Sequence, residues 1–173
     1  IKNNSKVILD YAHTPDALKY TLESIKEQFS QSSISIVFGC GGDRDKDKRS
    51  IMGKIANQYC DKIFLTDDNP RYESPKKIRN QIKKKITRSK LVEISSRKKA
   101  IRIAIENLSS GDILLVAGKG HEIYQEYKGK KKIFSDKKYI LKEINSKNAK
   151  LFKNWKANIL NEKCNLGLVS KKL

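Results

Sequence analysis

Asp67, Asp68 and Arg71 lie within five residues of one another, in the run Thr66-Asp67-Asp68-Asn69-Pro70-Arg71-Tyr72-Glu73. Carboxylates accept hydrogen bonds from ammonium groups, and a guanidinium can clasp a carboxylate through two parallel bonds. Together they suit a zwitterionic ligand such as an amino acid. The same residue types also suit a plain strand-to-helix turn, with Asp and Asn as caps. Pro70 fixes its own φ and biases Asn69 towards extended backbone, so the segment has a defined, non-helical geometry. Taken alone, the stretch leaves both readings open.

Three other segments carry chemistry-bearing residues. Gly39-Cys40-Gly41-Gly42-Asp43-Arg44-Asp45 is glycine-rich without matching GxGxxG, which argues against a dinucleotide site. Its glycines are expected to allow close approach to a ligand or positive φ, leaving Arg44 to bind a carboxylate or phosphate. The alternative is a solvated cluster of Asp43, Arg44, Asp45 and Lys46. Gly118-Lys119-Gly120-His121-Glu122 lacks the first glycine and the trailing Ser or Thr of a Walker loop, and no GxxxxGK[ST] occurs elsewhere. ATP phosphates, if used, must then be held by another domain. The fourth segment is Asp10-Tyr11-Ala12-His13-Thr14-Pro15. His13 and His121 have no third ligand at usable spacing, so no metal site is expected, and no nucleophilic triad is apparent.

The elements that must position these segments follow from hydrophobic patterning. Short apolar runs at Val7-Ile8-Leu9, Ile34 to Phe38, Lys62 to Leu65, Leu91 to Ile94 and Ile113 to Ala117 predict buried strands. Helices are predicted between them: from Asp16 through Leu18, Leu22 and Ile25; from about Arg49 through Met52, Ile55 and Ala56; from Ser74-Pro75 through Ile78, Ile82 and Ile86; and from Ser96 through Leu108. Ile123 to Phe134, with Gly129 among lysines, predicts a β-hairpin, and Ser135-Asp136 predicts the cap of a last helix. This alternation implies an α/β fold: a mostly parallel, doubly wound (Rossmann-like) sheet with helices on both faces and a C-terminal hairpin and helix. All four charged or glycine-rich segments directly follow predicted strands, so they project from one sheet edge, where open α/β sheets bind ligands.

The 173 residues suffice for one domain, read as 1–145, plus a tail at 146–173 that is a terminal helix, a linker or the start of a fused module. Beginning at Ile1, the chain is expected to be a fragment of something longer. Lys+Arg 38 against Asp+Glu 19 gives +19, a charge that invites nucleic acid. The lysines are spread over several helices rather than set in one stripe with aromatics, and AT-rich codon usage accounts for them equally well, so no nucleic-acid partner is expected. Cys40, Cys60 and Cys164 are odd in number and show no CxxC spacing, which fits a reducing cytoplasm. No apolar run approaches a membrane span, and no membrane partner is expected.

The four segments, in this order and over roughly Val7 to Ile144, resemble the C-terminal domain of the Mur ligases of peptidoglycan synthesis, specifically the diaminopimelate-adding MurE type. The resemblance implies that the N-terminal UDP-substrate domain and the central ATPase domain lie elsewhere in the same protein, with ATP and Mg2+ held mainly by the latter. It implies an acid–amino-acid ligase reaction between meso-diaminopimelate and UDP-N-acetylmuramoyl-L-alanyl-D-glutamate. Asp68-Asn69-Pro70-Arg71 matches the family's diaminopimelate signature; Arg44, Gly118 and Glu122 match the other amino-acid-binding positions; Asp10 and His13 match a nucleotide-facing loop. No catalytic acid or base is implied in this part of the protein. Asp47 and Ser50 stand where Gly and Pro are frequent in the family. Another Mur-type or folylpolyglutamate-type ligase is the alternative, without the expectation of DNPR and GKGHE together.

Overall fold

The computed structural model describes residues 4–146 and 148. In chain order the elements are β1 (Lys6–Asp10), α1 (Pro15–Gln28), β2 (Ile34–Phe38), α2 (Asp47–Tyr59), β3 (Lys62–Leu65), α3 (Pro75–Lys83), a 3-10 turn (Arg88–Lys90), β4 (Leu91–Glu93), α4 (Arg97–Asn107), β5 (Ile113–Ala117), β6 (Tyr124–Tyr127) and β7 (Lys130–Ile133). A last helix, α5, starts at residue 136 and is described to 146. The predicted tail otherwise lies outside the described residues.

Five strands form one parallel sheet in the order β1-β5-β2-β3-β4, and β6 and β7 form a separate antiparallel hairpin. The most apolar run in the sequence, Ile113 to Ala117, is fully buried between β1 and β2. From β1 to β4 the chain moves across the sheet in one direction, and then β4 to β5 reverses it. Parallel crossovers are right-handed, so the reversal must change the covered face. It does: Leu18, Leu22, Met52, Ala56, Ile78 and Ile82 of α1, α2 and α3 pack with Ile36, Phe38, Ile63, Leu65 and Leu115 on one face. Ala100, Ile101, Ala104 and Ile105 of α4, with Ile140 of α5, pack with Val37, Phe64, Leu114 and Val116 on the other. Both sets alternate along the strands, as the period of two requires.

Local signals explain the boundaries. Thr14 caps α1, its hydroxyl accepting from the Ala17 N–H, and Pro15 occupies the first turn. The α1 start is thus one residue earlier than predicted. Asp45 Oδ1 accepts the Asp47 N–H at 2.9 Å and so starts α2. Ser96 caps α4 through the Lys99 N–H. The α3 helix stops at Lys83, leaving Ile86 beyond it, although Ile86 still packs on the core. In the hairpin turn, Lys128 and Gly129 both take positive φ, 50° and 73°, as a two-residue turn matched to strand twist demands. Ser135 does cap α5, by accepting the Lys138 N–H. Its predicted partner in that task, Asp136, is instead wholly buried against Arg97.

Candidate functional site

All five strands are parallel, so the loops after β1, β2, β3 and β5 share one edge. They enclose a cleft of about 490 Å³ between β1, β5, β2 and β3. This is where the covering helices change face, the place at which two loops diverge and leave a crevice. Tyr11 and His13 line it from the first loop, Arg44 from the second and Lys48 from the first turn of α2, Asp68, Asn69 and Arg71 from the third loop, and Gly118 and Glu122 from the fourth.

The second and third loops are stitched together along their backbones. Gly42 N–H donates to the Asn69 carbonyl at 2.9 Å, Asp43 N–H to Glu73 Oε1 at 2.6 Å, and Tyr72 N–H to Asp43 Oδ2 at 3.1 Å. Glycine is needed at two of these contacts: a Cβ at Gly39 would run into the Thr66 carbonyl and one at Gly42 into the Pro70 carbonyl. This corrects the expectation drawn from sequence. Gly39, Gly41 and Gly42 do not take positive φ, and Gly39 and Gly42 admit a neighbouring loop rather than a ligand.

Beneath the stitched loops sits Arg49, fully buried, forked onto Glu73 at 2.9 and 2.8 Å and bonded to the Gly41 carbonyl and Gln81 Oε1. Hydrogen bonds from Arg49 pull the Glu73 carboxyl down to about 2, against the effect of burial and with help from the Asp43 N–H. Arg71 is a non-glycine residue at φ 50°. That conformation disfavours a side chain, and it persists here because the hairpin fixes it: Arg71 N–H donates to the Glu126 carbonyl and the Lys128 N–H to the Arg71 carbonyl. The twist turns the guanidinium back over the second loop. There Nη1 donates to the Gly42 carbonyl at 2.7 Å, and Nε lies 3.6 Å from Glu126 Oε2.

The opposite end of the cleft is built around Lys119, which has no exposure. Its ammonium donates to Glu122 Oε2 at 2.7 Å and Asn69 Oδ1 at 3.0 Å, and lies 3.8 Å from Asp68 Oδ1. Asn69 also donates to Glu122 Oε2 and accepts the Glu126 N–H, so its side chain knits three loops. Burial works to raise the Glu122 pKa, but the bonds from Lys119 and Asn69 overcome it and hold the group below its ordinary value. The cleft therefore presents the Arg71 guanidinium and the Glu122 carboxylate, each held by hydrogen bonds, within one enclosure.

Burial also pushes the Cys40 and Cys60 thiols up to about 12. Only the thiolate reacts with alkylating reagents. Peptide mapping after iodoacetamide treatment at pH 8 is expected to find both cysteines unmodified in the native protein and both modified in denaturant. Rapid native labelling of Cys40 would contradict the packing of the cleft floor.

The family description "Mur ligase, glutamate ligase domain" matches residues 1–120. The chain belongs to the Mur ligases. Among curated proteins it is 50% identical, over 143 residues, to the UDP-N-acetylmuramoyl-L-alanyl-D-glutamate--2,6-diaminopimelate ligase of Rickettsia rickettsii, covering 82% of this chain and 30% of that protein. A solved structure of a ligase with that same name superimposes with a TM-score of 0.79 at 39% identity, covering 86% of this chain and 31% of the other. The bifunctional folylpolyglutamate synthase/dihydrofolate synthase from Yersinia pestis, complexed with AMPPNP and Mn ion, shares the fold at 22% identity and TM-score 0.53. This Mur ligase chain spans about a third of the length of these two diaminopimelate ligases.

Of the residues singled out from sequence, the structure brings Arg44, Asp68, Asn69, Arg71, Gly118, Glu122 and His13 to the Mur ligase cleft. Arg44 is exposed at its rim, and Pro70 is buried behind it. Asp10 is elsewhere: its carboxylate accepts the Ala12 N–H and the Thr21 hydroxyl, inside the fold rather than on the cleft wall. Asp67 faces away too, paired with Arg79 and Tyr127; burial raises its pKa despite Arg79. Lys119, Arg49 and Arg97 were missed. Lys119 had a local signal, a lone cation between two glycines at a strand end, whereas the two arginines read as ordinary helix-start residues. Among the described residues no cluster of three His, Cys, Asp or Glu could hold a metal ion. No described helix is long and apolar enough to cross a membrane.

Proposed function

We propose that this Mur ligase domain binds and orients meso-diaminopimelate in an ATP-dependent ligase that joins it to UDP-N-acetylmuramoyl-L-alanyl-D-glutamate. The observation that carries this reading is the cleft itself, lined by the cations Arg44 and Arg71 and by the acids Asp68 and Glu122. Diaminopimelate differs from lysine by one additional carboxylate. A pocket selecting it needs an additional cation, and the planar fork of Arg71 supplies one that an ammonium would match poorly. Asp68 and Glu122 line the same cleft and serve as acceptors for the ligand's distal ammonium. Lys119 already engages Glu122 Oε2, so that carboxylate is fixed before the ligand arrives, at little cost in ordering.

In this reading ATP converts the terminal carboxylate of the UDP-linked substrate to an acyl phosphate within the rest of the protein. The free amine of diaminopimelate attacks the acyl carbon, phosphate departs, and the nitrogen loses its proton to solvent. The domain contributes proximity and orientation rather than an acid or base. ATP and Mg2+ are assigned to the other domains of the longer chain.

Calorimetric titration of the full-length protein tests the assignment. Meso-diaminopimelate is expected to bind at least about tenfold more tightly than L-lysine, as one extra paired charge would give. Equal affinities would overturn it. The 173-residue chain alone, given ATP, Mg2+ and both substrates, is expected to form no amide, and measurable product would refute the division of labour.

A further inference from the structure

Arg97 has no part in the cleft wall and is completely buried, as is Asp136, the first residue of α5. The guanidinium donates from Nε to Asp136 Oδ1 at 2.8 Å, and from Nη2 to Asp136 Oδ2 at 2.6 Å and the Ala117 carbonyl at 2.8 Å. Because the group is planar and rigid, fixing that edge fixes the direction of the remaining nitrogen. Among the described residues Nη1 has no hydrogen-bond partner, and it lies 3.9 Å from Asp68 Oδ2. The other Asp68 oxygen is 3.8 Å from Lys119. Both distances are too long for hydrogen bonds and short enough for strong attraction in a buried setting. Among the described residues neither Asp68 carboxylate oxygen accepts a hydrogen bond, while Gln125 pins the backbone through the Asp67 and Asp68 carbonyls.

This arrangement steers a carboxylate without using up its lone pairs. A direct salt bridge to Arg97 would lock Asp68 but leave it less able to accept from a ligand. Asp136, together with the Ala117 carbonyl, holds the arginine back by its other edge.

We infer that Arg97, tethered by Asp136, is a positioning residue for Asp68, acting from behind the cleft to aim that carboxylate at the ligand's ammonium. The inference rests on the proposed substrate reading. It also explains why α5 begins with an acid inside the core.

The test uses the full-length protein with Arg97→Lys, which keeps the charge but loses the fork, and Asp136→Asn, which keeps the shape but releases it. For both, KM for meso-diaminopimelate is expected to rise about tenfold or more while KM for ATP and for the UDP-linked substrate stays within about twofold. In an Asp68→Asn background the Arg97→Lys change is expected to add less than about twofold, because residues acting through one another are non-additive. Unchanged KM values with a lowered melting temperature, or a full effect in the Asp68→Asn background, would reduce Arg97 to a structural role. If Arg97→Lys does not fold, the Asp136→Asn kinetics decide alone. A crystal structure of Asp136→Asn separates this inference from the substrate reading: Asp68 is expected to rotate away from its native position, whatever the protein binds. An unmoved Asp68 overturns the inference even where diaminopimelate binding is confirmed. A wild-type protein that ignores diaminopimelate strikes the substrate reading instead.

Discussion

Arg71→Ala in the full-length protein is expected to raise KM for meso-diaminopimelate by about 30- to 3,000-fold and to leave KM for ATP within about twofold. The range corresponds to about 2–5 kcal/mol, the usual cost of removing one partner of a desolvated charge pair. Two properties of Arg71 decide how such a result is read. Its φ of 50° is held by the hairpin through backbone bonds that alanine retains. Its side chain also donates to the Gly42 carbonyl, a bond that alanine loses. Arg71→Gly separates the two contributions, because glycine takes positive φ without strain and should be about 1 kcal/mol more stable than alanine here. Glycine is nevertheless expected to be as poor as alanine towards diaminopimelate. Recovery of normal KM by glycine would show that the backbone, not the guanidinium, matters. Steady-state kinetics with each substrate varied in turn, together with thermal melts of the three proteins, settle the point.

Four of the five sheet strands were legible because each is a short apolar stretch closed by a charged or glycine-rich segment, and in a parallel sheet buried on both faces nothing else looks like that. The central place of β5 was written in its having no polar residue at all. The cleft was legible because parallel strands put every following loop on one edge, so four chemically loaded segments had to meet. What stayed hidden were the pairings that hold those loops. Arg49 with Glu73, and Arg97 with Asp136, are separated by 24 and 39 residues, and each arginine sits at a helix start where a charged residue usually faces water. No periodicity marks such a residue as buried. The glycines of the second loop misled for a related reason: their lack of a side chain serves a neighbouring backbone that is distant in sequence. Likewise the hairpin was visible as a hairpin, but not as the clamp that turns Arg71 into the cleft.

Arg49→Met is expected to destabilise the 173-residue chain by about 3 kcal/mol at pH 7, with a distinctive pH signature. Methionine fills much of the space but strands the Glu73 carboxylate, which is only 21% exposed, along with the Gly41 carbonyl and Gln81. In the native protein the Glu73 pKa is depressed to about 2. A depressed carboxyl contributes stability that is complete above the unfolded value, near 4.5, and is lost as pH falls through the interval down to about 2. Allowing for partial exposure of Glu73, that component is about 1–2 kcal/mol. Without Arg49 the largest cause of the shift is gone, so the variant has less of this component left to lose. Urea unfolding of both proteins at pH 7 and pH 3 should therefore show the gap between them narrowing by about 1 kcal/mol or more on acidification. The general effect of the chain's positive charge at low pH acts on both proteins and cancels in this difference. A gap of equal size at both pH values would mean that Arg49 stabilises by packing alone, and that the third loop is held in place by something other than its ion pair with Glu73.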